Sequence, residues 1–467
     1  MSQRNPDEGF GGGAVSSPAK KLFGTDGIRG VANVDPMTSE TALALGRALA
    51  VFFKNGGSHH RILIGKDTRR SCYMLENALA SGLCSMGAEA LLIGPMPTPG
   101  VAFLIQAMRA DAGVVISASH NSFEDNGLKI FDRNGFKLPD ADETKIEAIM
   151  ESGELEKNRP TGDAVGRATR IDDASGRYIE FVKSTFPKGS TLDGLKIVVD
   201  CAHGAAYKIA PTVLAELGAD TVVLGAAPNG LNINDGVGAM YPQTMAAEIK
   251  KAGAHLGIAL DGDADRVVFA DETGTVVDGD AILALCAEHL LRKKRLKDGV
   301  VVTTVMSNKA LEDYVSARGG RLERVAVGDR YVVEKMREGG YGFGGESSGH
   351  MIFLDHATTG DGLIAALQVL AILRESGKPL SGLVAGYRPL PQVLTNVKVP
   401  ERKDLGLFPE VQKMMKKIEG DLGSNGRLLV RYSGTEPLIR IMIEGREDAA
   451  IRKMAGDLST CIQKNLA

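Results

Sequence analysis

The sequence has no tryptophan, only five cysteines and no strong excess of charge of either sign. The cysteines are far apart and form neither a C-x-x-C pair nor a zinc-ligand spacing, which excludes a disulfide-stapled scaffold and a zinc finger. Free thiols of this kind are typical of a reducing cytoplasm, where we expect the protein. The net charge of −3 at pH 7 creates no general field for nucleic acid, and we expect no nucleic-acid partner.

Long apolar runs are also missing. The longest stretch, Leu363–Leu373, is short and contains Gln368, so it predicts a buried helix rather than a membrane span. The first 19 residues are rich in glycine, proline and polar residues, and they lack the apolar segment of a secretory signal. They are predicted to be a flexible extension, and no membrane partner is expected.

The 467 residues predict three or four domains. A strand, a polar turn and a helix follow one another three times, around the segments GKDTRRS, DCAHGAA and VMSNKAL. The predicted fold class is therefore α/β, with three related mixed α/β domains and a smaller C-terminal α+β domain of β-α-β-β-α order. The expected boundaries are 1–19 for the extension, 20–170, 171–271 and 272–387 for the α/β domains, and 388–467 for the last domain.

A polar segment beginning Ser-Ala-Ser-His-Asn follows the predicted strand Ala112–Ile116. Ligands of open α/β sheets bind at the carboxyl ends of strands, so Ser119 could act as a nucleophile with His120 as its base. However, the Gly-x-Ser-x-Gly elbow of hydrolases is missing, and adjacent side chains on a turn seldom face each other. Taken alone, the segment is more typical of a capping turn.

Three aspartates, Asp261, Asp263 and Asp265, lie close together between two predicted strands. Carboxylates at this spacing repel one another, and their burial without a counter-ion is very costly. A hard divalent cation resolves the conflict, and an oxygen-only ligand set favours Mg²⁺. A calcium EF-hand is excluded because Arg266 stands where that loop needs glycine and because the flanks are strands. A solvated turn is the remaining alternative.

Two further segments have the residue types that bind sugars and phosphates. Glu346 and Ser348 lie in a glycine-flanked turn, GGESSGH, and offer directional partners for sugar hydroxyls, although such a loop also caps its own backbone. The segment VRYSGTEPLIR can hold a phosphate, and a tight hairpin turn is its alternative. Its candidate phosphate ligands are Arg431, Ser433, Gly434, Thr435 and Arg440.

From about Lys21 to its end, the chain resembles the α-D-phosphohexomutase family, and in particular its bacterial glucosamine branch. Five segments in fixed order carry the resemblance: Phe23–Gly30 (FGTDGIRG), Ser117–Lys129, Asp261–Arg266, Gly344–His350 and Arg431–Arg440. The resemblance implies four domains around a central cleft, with one Mg²⁺ per active site as the cofactor.

The resemblance also implies a role for each matching residue. Ser119 carries the transferable phosphoryl group and holds the magnesium ion together with Asp261, Asp263 and Asp265. The polar residues near the transferring group are Arg29, His120, Lys129 and Arg266, and Lys129 or His120 moves the proton. The sugar is read by Glu346 and Ser348 and by the loop of Gly328, Asp329 and Arg330. The distal phosphate is held by Arg431, Ser433, Gly434, Thr435 and Arg440.

The reaction implied is the interconversion of glucosamine 6-phosphate and glucosamine 1-phosphate, through a phosphoserine enzyme and a 1,6-bisphosphate, feeding cell-wall precursor synthesis. The same chemistry on mannose or glucose phosphates is the alternative. A non-catalytic sugar-phosphate binding protein is less well supported, because Ser119 and all three aspartates are present. The expected partners are the sugar phosphate and its bisphosphate, and a homodimer is a possible assembly.

Two positions depart from the family pattern. Ser122 stands where the family usually has proline, which is expected to loosen the loop that presents Ser119. The segment Asn232–Pro242 reads NINDGVGAMYP, where the glucosamine branch tends to have a Cys-Gly-Ser-Thr-like stretch. The first departure concerns loop order and the second concerns the branch, and both leave the nucleophile in place.

Overall fold

The computed structural model describes residues 22–24, 26–54, 60–157, 159–432 and 438–466. The predicted extension of residues 1–19 lies outside these ranges. No helix within them has the length and the apolar character that a membrane span needs. Four sheets of six, five, four and three strands follow one another along the chain. The predicted fold class is confirmed, because three mixed sheets with helices precede a small antiparallel one.

The first region contains a six-stranded sheet and four helices. Its elements are β1 (Ile28–Val31), α1 (Ser39–Phe52), β2 (Arg61–Lys66), α2 (Ser71–Ser85), β3 (Glu89–Pro95), α3 (Thr98–Ala107), β4 (Ala112–Ile116), β5 (Asp125–Asp132), α4 (Asp140–Glu151) and β6 (Ala168–Arg170). The strand order is β1-β5-β4-β2-β3-β6, with β2, β3 and β4 parallel as predicted. Helices α1 and α2 approach closely at Gly46 and Gly82, where a Cβ would lie 2.4 and 2.3 Å from a backbone oxygen of the facing helix.

The second region contains a five-stranded sheet. Its elements are α5 (Ala174–Ser184), β7 (Lys196–Asp200), α6 (Ile209–Glu216), β8 (Asp220–Leu224), α7 (Pro242–Ala252), β9 (Leu256–Leu260), β10 (Val267–Ala270) and β11 (Val276–Val277). Strands β7, β8 and β9 are parallel, and β10 and β11 extend the sheet in antiparallel fashion. The two strands predicted to flank the three aspartates are β9 and β10.

The third region contains a four-stranded sheet. Its elements are α8 (Gly279–Arg292), β12 (Val300–Thr304), α9 (Lys309–Ser316), β13 (Arg321–Val325), α10 (Asp329–Gly339), β14 (Phe343–Gly345), β15 (Met351–Phe353), α11 (Gly362–Ser376) and α12 (Leu380–Val384). Helix α11 is buried, as its apolar sequence predicts, and Asp361 caps its first turn. The Asp361 carboxylate accepts hydrogen bonds from the Leu363 and Ile364 N–H groups and from the hydroxyl of Tyr178.

The fourth region is the predicted β-α-β-β-α unit. Its elements are β16 (Gln392–Lys398), α13 (Pro409–Leu422), β17 (Gly426–Tyr432), β18 (Leu438–Gly445) and α14 (Asp448–Leu466). The strand order β16-β18-β17 is antiparallel throughout. Proline at the first position of α13 and Gly423 after its last residue mark its bounds, as the sequence indicates.

The apolar core is continuous through the first three regions and separate in the fourth. One cluster of buried side chains includes Leu63, Ile258 and Phe343, which belong to three different sheets. The fourth region buries its own cluster between its sheet and its two helices. Its contacts with the third region include a polar one, because the Arg427 guanidinium donates to the carbonyl of Ser307 at 2.9 Å. The first three regions therefore form one packed body, and the fourth is attached to it.

Candidate active site

Three hairpin loops, one from each of the larger sheets, carry most of the predicted site residues. In each sheet a parallel strand turns back into an antiparallel neighbour: β4 into β5, β9 into β10, and β14 into β15. The connecting residues 117–124, 261–266 and 346–350 contain the predicted serine, the three aspartates and the glutamate. These loops follow the carboxyl ends of strands, which is where ligands of α/β sheets bind.

Ser119 lies in the first of these loops with a φ of 50°, a conformation that residues other than glycine rarely adopt. The residue is buried, and its Oγ donates a hydrogen bond to Oδ2 of Asp261 at 2.6 Å. The Nδ1 atom of His120 lies 3.3 Å from the same hydroxyl oxygen. The first loop therefore presents a buried hydroxyl to a carboxylate of the second loop, and it does so with the backbone strain that is common at functional sites.

The three aspartates form a compact buried cluster, with one carboxylate oxygen of each within 4.8 Å of the others. The Nζ atom of Lys129 donates to Oδ2 of Asp263 at 2.9 Å, and the Thr98 hydroxyl donates to the same oxygen at 2.6 Å. By contrast, the Oδ1 atoms of Asp263 and Asp265 are buried and make no hydrogen bond. Buried carboxylate oxygens without partners are costly, so the cluster fits a hard cation bound through oxygen.

The electrostatics of the cluster point the same way. Burial raises the pKa of Asp261 well above its ordinary value, and repulsion from Asp265 adds to the rise. Burial also acts on Asp265, but Lys129 and a neighbouring histidine outweigh it and hold the Asp265 pKa well below its usual range. The pKa of Lys129 is raised because Asp26, Asp263 and Asp265 outweigh the effect of its burial. Burial is thus the main cause of the rise at Asp261, and a bound cation would oppose both burial and repulsion.

The polar segment that follows β4 leads into strand β5, and Lys129 lies in that strand. Residues Asp125–Asp132 form β5, and the side chain of Lys129 is only 1% exposed within it. Two guanidinium groups lie nearby, and the buried Nε atoms of Arg29 and Arg266 make no hydrogen bond. Burial and these two cations lower the pKa of His120 to about 4. Unsatisfied cationic donors beside a hydroxyl suit an anionic group such as a phosphoryl.

A partly buried chain of alternating charges links the first and third regions. Lys137 forms ion pairs with Asp26, from the first loop of the chain, and with Asp329 at 2.6 Å. His350 lies between Asp329 and Asp265, at 3.5 and 3.6 Å from their carboxylate oxygens. These carboxylates raise the pKa of His350 against the effect of its burial. The serine loop, the aspartate cluster and the loop at Asp329 are therefore connected by direct contacts.

The predicted sugar-binding residues fall into two groups. The Gly328 N–H donates to Oε1 of Glu346 at 3.3 Å, so the two predicted segments meet, and burial raises the pKa of that glutamate. Ser348 is exposed on the same turn. Arg330 does not join them, because its guanidinium forms ion pairs with Asp140 and Glu143 of α4. That side chain fastens the loop to the first region.

The predicted phosphate loop is described only at its two ends. Arg431 on β17 and Arg440 on β18 lie directly opposite each other in the antiparallel ladder. Neither guanidinium pairs with a carboxylate of the described residues, and the buried Nε of Arg440 has no hydrogen bond. Burial and the charge of Arg440 lower the pKa of Arg431. The remaining candidates, Ser433, Gly434 and Thr435, lie outside the described residues. Two adjacent unpaired cations favour an anion between them.

Four side chains of this centre were not among the predicted site residues: Asp26, Thr98, Lys137 and His350. Two of them lie inside quoted segments, FGTDGIRG and GGESSGH, so a local signal existed. Thr98 follows β3 and could have been found because it stands at the carboxyl end of a parallel strand. Lys137 has no such signal, because both of its partners are more than 100 residues away in the chain.

Family models match the chain in four consecutive parts. Domains I, II and III of the phosphoglucomutase/phosphomannomutase proteins, each described as alpha/beta/alpha, match residues 20–157, 176–274 and 278–390. The C-terminal domain of the same proteins matches residues 394–460. The phosphoglucosamine mutase of Geobacter metallireducens is 58% identical over 447 residues, covering 96% of this chain and 99% of that protein. That of an Anaeromyxobacter species is 59% identical over 452 residues, covering 96% of both chains.

Solved structures share the fold at lower identity. A phosphoglucomutase/phosphomannomutase family protein of Burkholderia thailandensis superposes with a TM-score of 0.78 at 24% identity, covering 95% of this chain and 97% of that one. The N-acetylphosphoglucosamine mutase of Aspergillus fumigatus, in complex with GlcNAc-6P and magnesium, has a TM-score of 0.65 at 18% identity and covers 96% of both chains. With four domain matches in order and relatives of this identity over nearly its whole length, the chain belongs to the phosphoglucomutase/phosphomannomutase family.

Proposed function

We propose that the protein is a phosphoglucosamine mutase, which interconverts glucosamine 6-phosphate and glucosamine 1-phosphate. The observation that carries the proposal is the buried Ser119 hydroxyl, held 2.6 Å from Asp261 beside two further aspartates. A hydroxyl in that position can carry a phosphoryl group among groups that neutralise its charge. The phosphoglucosamine mutases that cover nearly all of this chain support glucosamine as the sugar.

In the proposed reaction, phosphorylated Ser119 donates to the O1 hydroxyl of glucosamine 6-phosphate. The bond between phosphorus and Oγ breaks, a bond between phosphorus and O1 forms, and the proton of the O1 hydroxyl passes to Oγ of Ser119. The 1,6-bisphosphate then turns in the site, and its 6-phosphoryl group passes to Ser119 by the same exchange. Glucosamine 1-phosphate leaves, and the serine is phosphorylated again. Atoms balance over the cycle because Ser119 transfers one phosphoryl group to the sugar and receives one from the bisphosphate.

The residues present fit a magnesium ion. The donor set of Asp261, Asp263 and Asp265 consists of oxygen alone, and two of these residues have a buried Oδ1 without a hydrogen bond. We propose that these three carboxylates and the phosphoryl group on Ser119 hold the ion. When bound, it supplies positive charge to the phosphoryl oxygens. The magnesium named with the Aspergillus fumigatus enzyme is consistent with this assignment.

Other side chains are proposed to bind the phosphoryl group and to move the proton. Arg29 and Arg266, whose Nε atoms lack hydrogen bonds, are proposed to bind the phosphoryl oxygens. His120, 3.3 Å from the Ser119 oxygen, and Lys129, in contact with Asp263, are the two groups proposed to move the proton. These two differ in location, so separate substitutions distinguish them.

Sugar and distal phosphate have their own proposed contacts. Gly328, Asp329, Glu346 and Ser348 are proposed to bind the sugar hydroxyls, with Arg330 fixing their loop through α4. The unpaired Arg431 and Arg440 are proposed to hold the phosphate that is not reacting, together with Ser433, Gly434 and Thr435. Because the bisphosphate must present either end to Ser119, the distal site must release and rebind a phosphate. A fourth region with its own core suits that requirement, since it can move as a unit.

Location and assembly remain part of the proposal. Five cysteines that form no disulfide suit the cytoplasm, where sugar phosphates are made. A homodimer is proposed as the assembly, and sedimentation at several protein concentrations tests it.

A coupled assay on glucosamine, glucose and mannose phosphates, started with a catalytic amount of glucose 1,6-bisphosphate, tests the function. We expect kcat/KM on the glucosamine phosphate to exceed the other two at least roughly tenfold. Equal or faster turnover of mannose or glucose phosphate would assign the chain to that activity instead. Binding of sugar phosphates without turnover would make it a binding protein.

A further inference from the structure

The backbone around Ser119 is held by a buried side chain of its own region. Arg69, in the turn after β2, is fully buried. Its guanidinium donates to the carbonyls of Ser119 at 3.2 Å, Asn121 at 2.6 Å and Ser122 at 3.3 Å. These bonds fix three carbonyls of the loop to the first sheet. One of them reaches Ser122, where the family pattern has proline.

The second region holds the same carbonyls with a single side chain. Asn234, in the connection between β8 and α7, is only 5% exposed. Its Nδ2 donates to the carbonyl of Ser119 at 2.9 Å and to that of Asn121 at 2.9 Å. The serine loop is therefore held between a guanidinium of its own region and an amide of the next one. Both donors of the amide group are used on this loop, and neither touches the Ser119 hydroxyl.

Backbone strain concentrates at this junction. Nine described residues other than glycine have a positive φ, and five of them are Ser119, Ala202, His203, Asn234 and Ala264. The N–H of Asn234 donates to the carbonyl of Ala202 at 2.9 Å, so two strained turns of the second region support each other. Such conformations cost free energy and persist only where the surroundings hold them. At Ser119 the carbonyl is held by the two donors just described, and the N–H donates to the Ser117 hydroxyl at 2.9 Å.

We propose that Asn234 is a positioning residue for phosphoryl transfer, supplied by the second region to the nucleophile of the first. By fixing the Ser119 carbonyl, the amide keeps the residue in its left-handed conformation and directs Oγ toward Asp261. Without the amide, the loop relaxes and the hydroxyl samples other directions, while the sugar and phosphate contacts stay in place. The proposal rests on the proposed mutase function and deepens it.

Two substitutions at this position separate the hydrogen bonds from the backbone conformation. Asn234→Asp keeps the shape and tolerates a positive φ but replaces the donor with an oxygen, and Asn234→Gly keeps the φ and removes the side chain. We expect both to lower kcat roughly ten- to a hundredfold, because small misplacement of a reacting group has effects of this size. The KM for glucosamine 6-phosphate is expected to stay within about threefold.

A second readout follows the nucleophile directly. Intact-mass measurement of Ser119 phosphorylation by glucose 1,6-bisphosphate in a single turnover should slow in parallel with kcat for both variants. Asn232→Asp is the matched control, because Asn232 lies in the same loop, is half-buried and bonds only to its own loop, donating to the Ala227 carbonyl at 3.1 Å. This control is expected to keep the kcat and the phosphorylation rate of the unaltered protein.

Each outcome decides between positioning and other roles. A kcat within twofold of the unaltered protein for both Asn234 variants would overturn the proposal. So would a fall of more than about 10 °C in melting temperature for both, or failure to fold, because either would show a merely structural residue. An unaltered protein that turns over no sugar phosphate would instead overturn the proposed function. The two failures are therefore distinguishable.

Discussion

The centre at Ser119 and the arginine pair of the fourth region differ in how their charged side chains are paired. Around Ser119, lysines and carboxylates alternate and are paired at short distances, with Lys137 between Asp26 and Asp329. Across β17 and β18, Arg431 and Arg440 face each other and pair with no carboxylate of the described residues. Most charges of the first arrangement are paired within the protein, whereas we propose that an anion completes the second.

The difference indicates how a site can be rigid at one end and adaptable at the other. Reacting atoms need fixed geometry, and the centre at Ser119 obtains it from loops of three sheets that share one apolar core. The distal phosphate needs only to be held and released, and an unpaired cation pair on a separate region is sufficient for that task. Substitutions in the two places should therefore affect different kinetic constants.

The largest effect is expected at the nucleophile. Ser119→Ala removes the phosphoryl carrier, so turnover should fall on the order of a thousandfold or more while the fold persists. Intact mass should show one phosphate fewer than in the phosphorylated protein. Ser122→Ala is the control, because that hydroxyl bonds to the nearby Glu124 on the exposed side of the same loop. If Ser119→Ala were about as active as this control, Ser119 would not be the phosphoryl carrier.

A somewhat smaller loss is expected at the aspartate cluster. Asp263→Asn removes a proposed magnesium ligand and the partner of Lys129, so activity should fall roughly a hundredfold. The magnesium concentration needed for half-maximal activity should rise, and chelation with EDTA should abolish the activity of the unaltered protein. Asp220→Asn, on an exposed strand end, serves as the control. An unchanged magnesium titration would mean that the cluster is only a polar turn.

The arginine pair should respond in binding rather than in chemistry. Arg440→Ala removes a charge-assisted hydrogen-bond donor, worth about 1.5–3 kcal/mol, so binding of glucosamine 6-phosphate should weaken roughly ten- to a hundredfold. Phosphorylation of Ser119 by glucose 1,6-bisphosphate should suffer less than overall turnover. Arg446→Ala, an exposed cation just beyond β18, is the matched control. Steady-state kinetics with KM and kcat both unchanged would place the distal phosphate elsewhere.

The smallest effect is expected at a buried carboxylate outside the aspartate cluster, where burial alone raises the pKa. Asp361 is a buried carboxylate with hydrogen-bond partners on every side, and burial raises its pKa to about 6. Because the folded state binds this proton more tightly than the unfolded state, stability is lower by roughly 2–3 kcal/mol above about pH 6 and is regained as the pH falls toward 4. Asp361→Asn should therefore gain in melting temperature relative to the unaltered protein as the pH rises from 4 to 7.

The matched control for this last measurement is Asp457→Asn, on the exposed face of α14. The difference for Asp361→Asn should change with pH more than the difference for this control does. If the difference in melting temperature between Asp361→Asn and the unaltered protein did not change with pH, burial of a single, fully bonded carboxylate would cost little stability here. The cost at Asp261 would then come from its neighbours alone.

Local patterns in the sequence predicted most of the elements. Strand β4 has the predicted bounds Ala112–Ile116, and helix α13 begins at a proline and ends before a glycine, since a short apolar run and a proline-to-glycine frame are local signals. Strand β5 is different, because its sequence DNGLKIFD puts an asparagine and a lysine at buried positions. Those side chains are satisfied only in the folded protein, where Asn126 donates to Ser71 and Lys129 to Asp263. A pattern of apolar residues does not predict such a strand.

For the site, the residue types and their order predicted the three loops, and the fold placed those loops together. The orientation of individual side chains depends on distant parts of the chain. Arg330 turns to α4, and Lys137 joins residues 111 and 192 positions away. No local signal specifies these contacts. The Arg330 and Lys137–Asp329 contacts arise only after the first and third regions pack on each other, and the Lys137–Asp26 contact joins distant parts of the first region.

Because the fourth region has a core of its own, we expect substrate binding to strengthen its association with the packed body. The fourth region buries an apolar cluster of its own, separate from the one that runs through the packed body. A sugar phosphate that is gripped at one end by the loops and at the other by the arginines adds its binding free energy to the association of the two units. Amide hydrogens at the boundary should then exchange more slowly with substrate bound. With the proposed contacts at both ends, the molecule being converted would act, for the length of one turnover, as a cross-link between two parts of the enzyme.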